Sequence, residues 1–211
     1  MNNRMIFALI LIVIAVFTAG CATPENKNAG NTINEDSLKF KEEYEAFNNK
    51  ISEDGINLNK FLSISEENKV VYLSFEDLLD FIRNGTGLLF FGRPACPWCR
   101  LLVPDMLDFA RAEDASIYYF NIERDRAENS EQYKTILAML GEYLPLDDVT
   151  QGEYFVGFDP NLKRVPTPSL FFIKEGEVKA YLNMAHHEYL ENGQSELVLE
   201  SLRYNYGLIN E

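Results

Sequence analysis

Two cysteines three residues apart, Cys96 and Cys99, are the residues of this sequence best suited to chemistry. Their motif, Cys-Pro-Trp-Cys, stands between an apolar run at 88–91 and a stretch with helical apolar spacing. This pattern predicts a strand followed by a helix. At such a turn the first thiol lies at a helix N-terminus, where free N–H groups and the helix dipole favour a thiolate. The pair therefore predicts thiol–disulfide exchange, with Cys96 as nucleophile and Cys99 as resolving thiol.

The same cysteine spacing also occurs in half of a zinc site. The chain has two histidines, His186 and His187, but adjacent histidines match poorly the spaced pair that is usual in zinc sites. The third cysteine, Cys21, stands in a separate N-terminal segment, so no cysteine remains for a disulfide framework or an all-cysteine zinc site. The sequence therefore indicates a redox pair that uses no metal and no cofactor.

Residues 1–21 have the pattern of a lipoprotein signal peptide. Arg4 precedes an apolar run over residues 5–17, which is short for a membrane span but suits a secretory signal. The next four residues, Thr-Ala-Gly-Cys, resemble a bacterial lipobox, which implies cleavage and lipidation at Cys21. The alternative is an uncleaved N-terminal anchor with an incidental cysteine. Both interpretations predict a membrane-tethered protein outside the cytoplasm.

Composition divides the remainder of the chain into a tether and a folded part. Residues 22–35 are small and polar with one large apolar residue, which predicts a flexible tether. Residues 36–68 are predicted to form an N-terminal helical extension, because Phe40, Tyr44, Phe47 and Ile51 follow helical spacing over 36–51. The net charge of −14 argues against a nucleic-acid partner and is interpreted as promoting solubility.

From residue 69 the pattern alternates between strand and helix. Strands are predicted at 70–73, 88–91, 116–122, 169–173 and 178–182, and 154–156 is a further candidate. Helices are predicted after Ser74, after the cysteine motif, at 130–142 and at 195–206. This order predicts an α/β domain with a central mixed sheet covered by helices.

The order of elements, with the cysteine motif after the second strand, resembles the thioredoxin fold. Three further motifs support the resemblance: Pro104, five residues after Cys99; the segment Val165-Pro166-Thr167 before a strand pair; and Lys174-Glu175-Gly176 at a hairpin. The resemblance implies a thioredoxin-like domain over 69–211, with a helical insertion at about 123–164 that precedes a cis-proline.

The resemblance also implies how substrate is bound. Pro166 is expected to be the cis-proline packed against the cysteine pair, with Pro168 as the alternative. The backbone of Val165 is then expected to pair with an extended substrate segment, with Thr167 beside it. Trp98 is expected either to contact substrate or to pack on a neighbouring loop.

Several residues depart from the family pattern. Phe90 stands where thioredoxins have a buried Asp, and Tyr119 stands where they have its basic partner, so the proton acceptor for Cys99 is either absent or supplied elsewhere. Arg93 and Arg100 flank the motif and either favour the thiolate or are solvated surface residues.

Among thioredoxin-like proteins, the sequence most resembles membrane-tethered forms of Gram-positive bacteria, including the bacteriocin-transport accessory type. The expected function is an extracytoplasmic oxidoreductase that acts on thiols or disulfides of exported proteins. A membrane or extracytoplasmic redox partner is expected to reset the cysteines. The alternative is a tethered binding or assembly module for an exported peptide or secretion partner, without redox turnover.

Overall fold

The structure is a computed structural model that describes residues 34–51, 61–145, 163–184, 190 and 192–210. The predicted signal peptide, Cys21, nearly all of the predicted tether, the candidate strand at 154–156 and both histidines lie outside these residues. Within the described ranges, the helices are too short or too polar to cross a membrane.

The described residues form an alternating series of strands and helices. The strands are β1 Val70–Tyr72, β2 Gly87–Gly92, β3 Ile117–Asn121, β4 Ser169–Lys174 and β5 Glu177–Asn183. The helices are α1 Glu35–Glu45, α2 Phe75–Asn84, α3 Pro97–Ala112, α4 Glu123–Ala127, α5 Glu131–Leu140 and α6 Ser195–Asn210. The five strands predicted from residue 70 onward, leaving aside 154–156, are confirmed with ends that differ by at most one residue.

The strands form one sheet in the order β1-β3-β2-β4-β5. Strands β1, β3 and β2 are parallel, whereas β4 and β5 are antiparallel to their neighbours. This mixed sheet, flanked by helices, has the strand order of the thioredoxin fold, and the predicted fold class is confirmed. All six residues of β2 are buried because helices cover both faces of the sheet at its centre.

Alternation along β2 divides the core into two layers. Leu88 and Phe90 point toward α1, α3 and α6, whereas Leu89 and Phe91 point toward α2 and α5. The layer beneath α3 also contains Cys96 and Cys99. The cysteine motif is therefore joined to the larger of the two apolar clusters.

The turn between β4 and β5 confirms the predicted hairpin. Glu175 and Gly176 have φ angles of 51° and 79°, the sign that a two-residue type I′ turn requires at both central positions. A Cβ atom at Gly176 would collide with the carbonyl oxygen of Arg83, so glycine is needed here for space as well as for φ. The Gly176 N–H donates to the carbonyl of Gly85 at the end of α2.

The N-terminal extension contains α1, which is shorter than predicted. The helix ends at Glu45, and Asn49 has a left-handed φ of 62°. Phe40 and Tyr44 are buried as expected, but Ile51 is 68% exposed, so the predicted helical face is wrong at its C-terminal end. Asparagine adopts the left-handed region more readily than most residues, which explains the turn at this point.

Helix α1 covers the edge of the sheet at β1. Asp36 Oδ2 accepts a hydrogen bond from the Tyr72 N–H at 3.0 Å, and Ser37 Oγ donates to the carbonyl of Asn68 at 2.6 Å. Side chains of the extension thus satisfy backbone groups that a neighbouring strand would otherwise satisfy.

The insertion after β3 begins with two helices, α4 and α5. Ser130 caps α5 by accepting a hydrogen bond from the Tyr133 N–H at 3.0 Å. The Tyr133 hydroxyl in turn accepts a hydrogen bond from the Val165 N–H at 3.2 Å, which joins the insertion to the loop before β4.

Candidate active site

Cys96 is the N-cap residue of α3, directly after the turn that leaves β2. Its sulfur accepts a hydrogen bond from the Cys99 N–H at 3.4 Å, and Pro97 occupies the first turn of the helix. Pro97 has no N–H and a φ suited to this position. Both cysteines are free thiols, with Cys96 3% and Cys99 0% exposed. The predicted position of the first thiol at a helix N-terminus is confirmed.

The predicted cis bond before Pro166 is wrong. The cis peptide bond joins Thr167 and Pro168, the alternative considered from the sequence. Strand β4 begins at Ser169, immediately after Pro168, and Ser169 pairs with Phe91 near the end of β2. This register brings Thr167, rather than Val165, beside the cysteine motif that follows β2.

Contacts of the loop before β4 agree with this register. The carbonyl oxygen of Thr167 lies 3.3 Å from Cys96 Sγ, and the Thr167 hydroxyl lies 3.6 Å from the same sulfur. Val165 is fully buried, its N–H donates to Tyr133, and its carbonyl accepts from Arg126 at 3.2 Å. The backbone of Val165 is therefore already engaged, so the predicted substrate-pairing role does not fit Val165.

The Cys96 thiol is the more acidic of the two. Burial alone would raise its pKa, but hydrogen bonds from Cys99, the positive charge of Arg93 and the Thr167 hydroxyl together lower the pKa of Cys96 to about 6. A thiol with this pKa is mostly thiolate at neutral pH. Cys96 therefore has the properties of an attacking sulfur.

The Cys99 thiol has the opposite character. Burial, followed by the hydrogen bond and charge of Cys96, raises the pKa of Cys99 well above its ordinary value. Phe90 and Tyr119 lie on the same side of the sheet and pair in register, with ring centroids 5.3 Å apart. Aromatic rings thus occupy the positions where the resemblance implies an acidic residue and its basic partner.

Arg93 acts on the Cys96 thiol, in agreement with one of the two interpretations of the sequence. Its side chain is 24% exposed and forms an ion pair with Glu123 at 3.1 Å. Its charge contributes to the lowered pKa of Cys96.

The solvated interpretation of Arg100 is wrong, because this arginine is buried, and its effect on the thiolate stays a prediction. It is 0% exposed and donates to the carbonyl of Tyr44 at 2.5 Å and to Asn48 Oδ1 at 2.6 Å. Asn48 also exchanges two hydrogen bonds with the backbone of Leu62. Arg100 thereby fastens the cysteine helix to the end of α1, where a positive charge is favourable.

Trp98 is half-buried and packs against the core cluster that contains the cysteines. This contact agrees with the packing interpretation, while its predicted contact with substrate stays a prediction. Within the part of the chain that the structure describes, no group of histidine, cysteine and acidic residues is arranged to hold a metal ion.

Sequence reasoning missed the contribution of the extension to the site. The sequence pattern places Tyr44 only on a buried helix face. Its hydroxyl group is the feature that could have indicated a polar role in the interior. The sequence neighbours of Arg100 suggest a role at the motif, although its two shortest hydrogen bonds go to residues more than fifty positions away. Such long-range contacts follow from tertiary packing, which local spacing does not encode.

Comparison with known proteins gives limited information. No family model matches the sequence. Among solved structures, the chain is similar to thioredoxin O2 from Arabidopsis thaliana in its oxidized state, with 18% identity over 62% of this chain and 92% of that chain, and a TM-score of 0.37. This likeness says nothing about activity, and the fold assignment depends on the strand order and directions described above.

Proposed function

We propose that the protein is a thiol–disulfide oxidoreductase whose Cys96–Cys99 pair exchanges disulfides with exported proteins. The observation that supports this most directly is the contrast between the two sulfurs. Cys96 has a pKa of about 6 at the start of α3, whereas the pKa of Cys99 is raised in the interior. An exchange enzyme needs one thiol that is ready to attack and a second that is held back until the first has reacted.

The reduced pair acts in two steps. The Cys96 thiolate attacks a substrate disulfide, forms a mixed disulfide with one substrate sulfur and expels the other as a thiolate. Cys99 then loses its proton and attacks the Cys96 sulfur, which forms the Cys96–Cys99 disulfide and releases the second substrate sulfur. Each released substrate thiolate takes up one proton, one equivalent to the proton lost by Cys99 and one from solvent, so the substrate disulfide is reduced to two thiols while the pair is oxidised.

The loop before β4 is proposed to align the substrate. Thr167 lies against Cys96, so its backbone takes the role first expected of Val165. Pro166 directly precedes Thr167, Trp98 lies between the two cysteines, and both are proposed as further substrate contacts. Substrate chains that arrive beside Thr167 would place their disulfide next to the attacking sulfur.

The proposed place of action is outside the cytoplasm, with the chain tethered to the membrane through lipid on Cys21. The lipobox-like segment before Cys21 supports this proposal. In cells that are fed labelled fatty acid, label should appear on the wild-type protein and be absent from Cys21→Ala. A labelled Cys21→Ala protein would refute lipidation at this residue.

Reduction of insulin disulfides in the presence of dithiothreitol tests the activity. The full chain in detergent should accelerate the reaction, and Cys96→Ser should reduce the rate to that without protein. Cys21→Ala is the matched control, because it also replaces one cysteine but should retain the activity. A wild-type rate no greater than that of Cys96→Ser would refute the proposed function.

Two observations favour the second candidate, a binding or assembly module without redox turnover. Both cysteines are almost completely buried, and Phe90 stands in place of an acidic residue. The insulin assay separates the candidates, since pure binding predicts that Cys96→Ser changes nothing.

A further inference from the structure

Resolution of the mixed disulfide requires that Cys99 ionise in an apolar environment. Burial opposes its ionisation and raises the pKa of the Cys99 thiol. Phe90, beneath the motif, has no group that bonds to a thiolate. The interior must therefore offer some other polar atom, or the second step of the exchange will be slow.

The Tyr44 hydroxyl is a polar atom without an assigned role in this interior. Tyr44 is 0% exposed, and its hydroxyl makes no well-formed hydrogen bond among the described residues, although the Tyr119 side chain interacts with it. A buried hydroxyl that lacks a partner destabilises the fold, and such a group needs an explanation. A role in catalysis explains why tyrosine rather than phenylalanine stands at this position.

Tyr44 is held firmly in one place. Arg100 donates to its carbonyl, and its ring lies 4.3 Å from the Phe40 ring and 6.2 Å from the Tyr119 ring, centroid to centroid. Tyr44 belongs to the same apolar cluster as both cysteines. Since Arg100 follows Cys99 directly in α3, this bond fixes the extension next to the resolving cysteine.

The charges of these groups influence one another through the interior. Burial, then Tyr119, then Cys99 raise the pKa of the Tyr44 phenol, so a negative charge on Cys99 is felt at Tyr44. A phenol with a raised pKa keeps its proton throughout the physiological range and is available as a donor. Tyr119 is a weaker candidate, because its hydroxyl is already directed at the Gly92 carbonyl, 3.5 Å away.

We propose that Tyr44 is a positioning residue for the resolving step, in which its hydroxyl donates a hydrogen bond that stabilises the Cys99 thiolate. This inference rests on the proposed function. The phenol gives up no proton: the proton of Cys99 leaves for solvent, and an equal number of protons returns to the released substrate thiolate. The N-terminal extension thus completes the active site by supplying a donor that the sheet and the cysteine helix lack.

Ellman's reagent, an aromatic disulfide with a coloured thiolate product, separates the two steps in a single turnover. Attack by Cys96 on the reagent releases a first thiolate and leaves a mixed disulfide. Attack by Cys99 releases a second thiolate and forms the intramolecular disulfide. The experiment uses the full chain in detergent with Cys21→Ala, so that no Cys21 thiol left without lipid can react.

Tyr44→Phe is the test variant, and Tyr72→Phe is the matched control. Tyr72 packs in the same aromatic group, 5.0 Å from the Tyr119 ring, but its hydroxyl is already bonded to Glu43 at 2.7 Å. Tyr44→Phe should slow the second release about tenfold and raise the midpoint of its pH profile by about one unit, because a hydrogen bond to a charged group is lost. The first release should be unchanged, and Tyr72→Phe should match the parent in both phases.

The pH profile of the second release also depends on other groups near Cys99 and Tyr44. Cys96 and Arg93 act on Cys99 directly, Arg100 interacts with Tyr44, and Glu43 and Glu123 act on Tyr119. These groups are identical in Tyr44→Phe and in the parent. A shift that Tyr44→Phe shows and Tyr72→Phe lacks therefore comes from the Tyr44 hydroxyl.

The possible outcomes are distinct. Equal second-phase rates in the parent and Tyr44→Phe would overturn the inference and leave the proposed function intact. Equal slowing in both tyrosine variants would also overturn it, since packing would then be the cause. Absence of a second release in the parent would overturn the proposed function itself. Tyr44→Phe should melt at the same or a higher temperature, and a lower melting temperature would show that the hydroxyl has a structural bond, which the inference excludes.

Discussion

Cys96 and Cys99 are separated by two residues but lie in contrasting environments. Cys96 contacts Thr167 in the loop before β4 and is influenced by the positive charge of Arg93, which follows β2. Cys99 faces the interior, where Phe90 and two tyrosines from distant parts of the chain share its cluster. The pKa of Cys96 is lowered and that of Cys99 is raised.

This contrast teaches that a helix N-terminus prepares only the first sulfur of such a pair. The turn from β2 into α3 is local, and it brings the Cys99 N–H to the Cys96 sulfur. The surroundings of Cys99 depend instead on β3 and on the N-terminal extension. In the proposed exchange, the first step thus depends on the motif and the second on the packing behind it.

Replacing each cysteine in turn should have the largest effect and tests the contrast directly. Cys99→Ser leaves the nucleophile in place without a resolving thiol, so it should trap covalent mixed disulfides with client proteins. Cys96→Ser should trap almost none, because the remaining thiol is buried and weakly acidic. Pull-down followed by non-reducing electrophoresis measures both variants, and equal trapping by the two would abolish the distinction.

Arg100→Gln should have the next largest effect, on stability. The buried guanidinium bonds to Tyr44 and Asn48, so its loss should reduce the free energy of unfolding by about 2–4 kcal/mol. Arg111→Gln is the control, since Arg111 lies on the exposed side of α3 and forms an ion pair with Asp108, a surface pair worth about 0–1 kcal/mol. Urea denaturation compares the two variants, and equal losses would show that Arg100 does not fasten the extension.

Arg93→Gln tests the cause of the lowered pKa of Cys96. Removal of the positive charge should raise the pKa of Cys96 from about 6 by up to about one unit. The thiolate is the reactive form, so alkylation by iodoacetamide should slow several-fold below about pH 6 and change little above about pH 8. Glu123→Gln, which removes the partner of Arg93, should leave the Cys96 profile unchanged or move it to lower pH, whereas a shift to higher pH would contradict this account.

Thr167→Val should have the smallest effect of the four. Valine keeps the shape of threonine and the backbone carbonyl beside Cys96 but removes the hydroxyl 3.6 Å from its sulfur. Alkylation of Cys96 near pH 6 should slow about twofold, because one hydrogen bond to the thiolate is lost. Thr135→Val, a change on the surface of α5, is the control. An equal change of the alkylation rate in both variants would show that the Thr167 hydroxyl does not act on Cys96.

Local patterns predicted the sheet well. Each strand from β1 to β5 appears in the sequence as a short apolar or alternating run. The run at 88–91 is continuously apolar because helices cover both faces of β2. The cysteine motif was also readable, because the thiol, the proline and the helix start are consecutive. These features depend on neighbouring residues alone.

Features that depend on register or on distant partners were not readable. Whether Pro166 or Pro168 lies beside the cysteines is decided by the pairing of Ser169 with Phe91, and the two prolines are only two positions apart in the same segment. Arg100 stands next to Cys99 in the sequence, yet its partners are on the extension. The end of α1 was readable in principle, since Asn48 and Asn49 are typical of a turn.

The contact between Asp36 and the Tyr72 N–H also has a consequence for the behaviour of the protein in concentrated solution. Without α1, the outer side of β1 would present free backbone groups on which another chain could build a strand. A chain shortened to start after α1 should therefore form concentration-dependent aggregates before it loses its secondary structure. Analytical ultracentrifugation at increasing concentration would detect this association, and the extension would then be understood as a guard against self-assembly as well as a part of the active site.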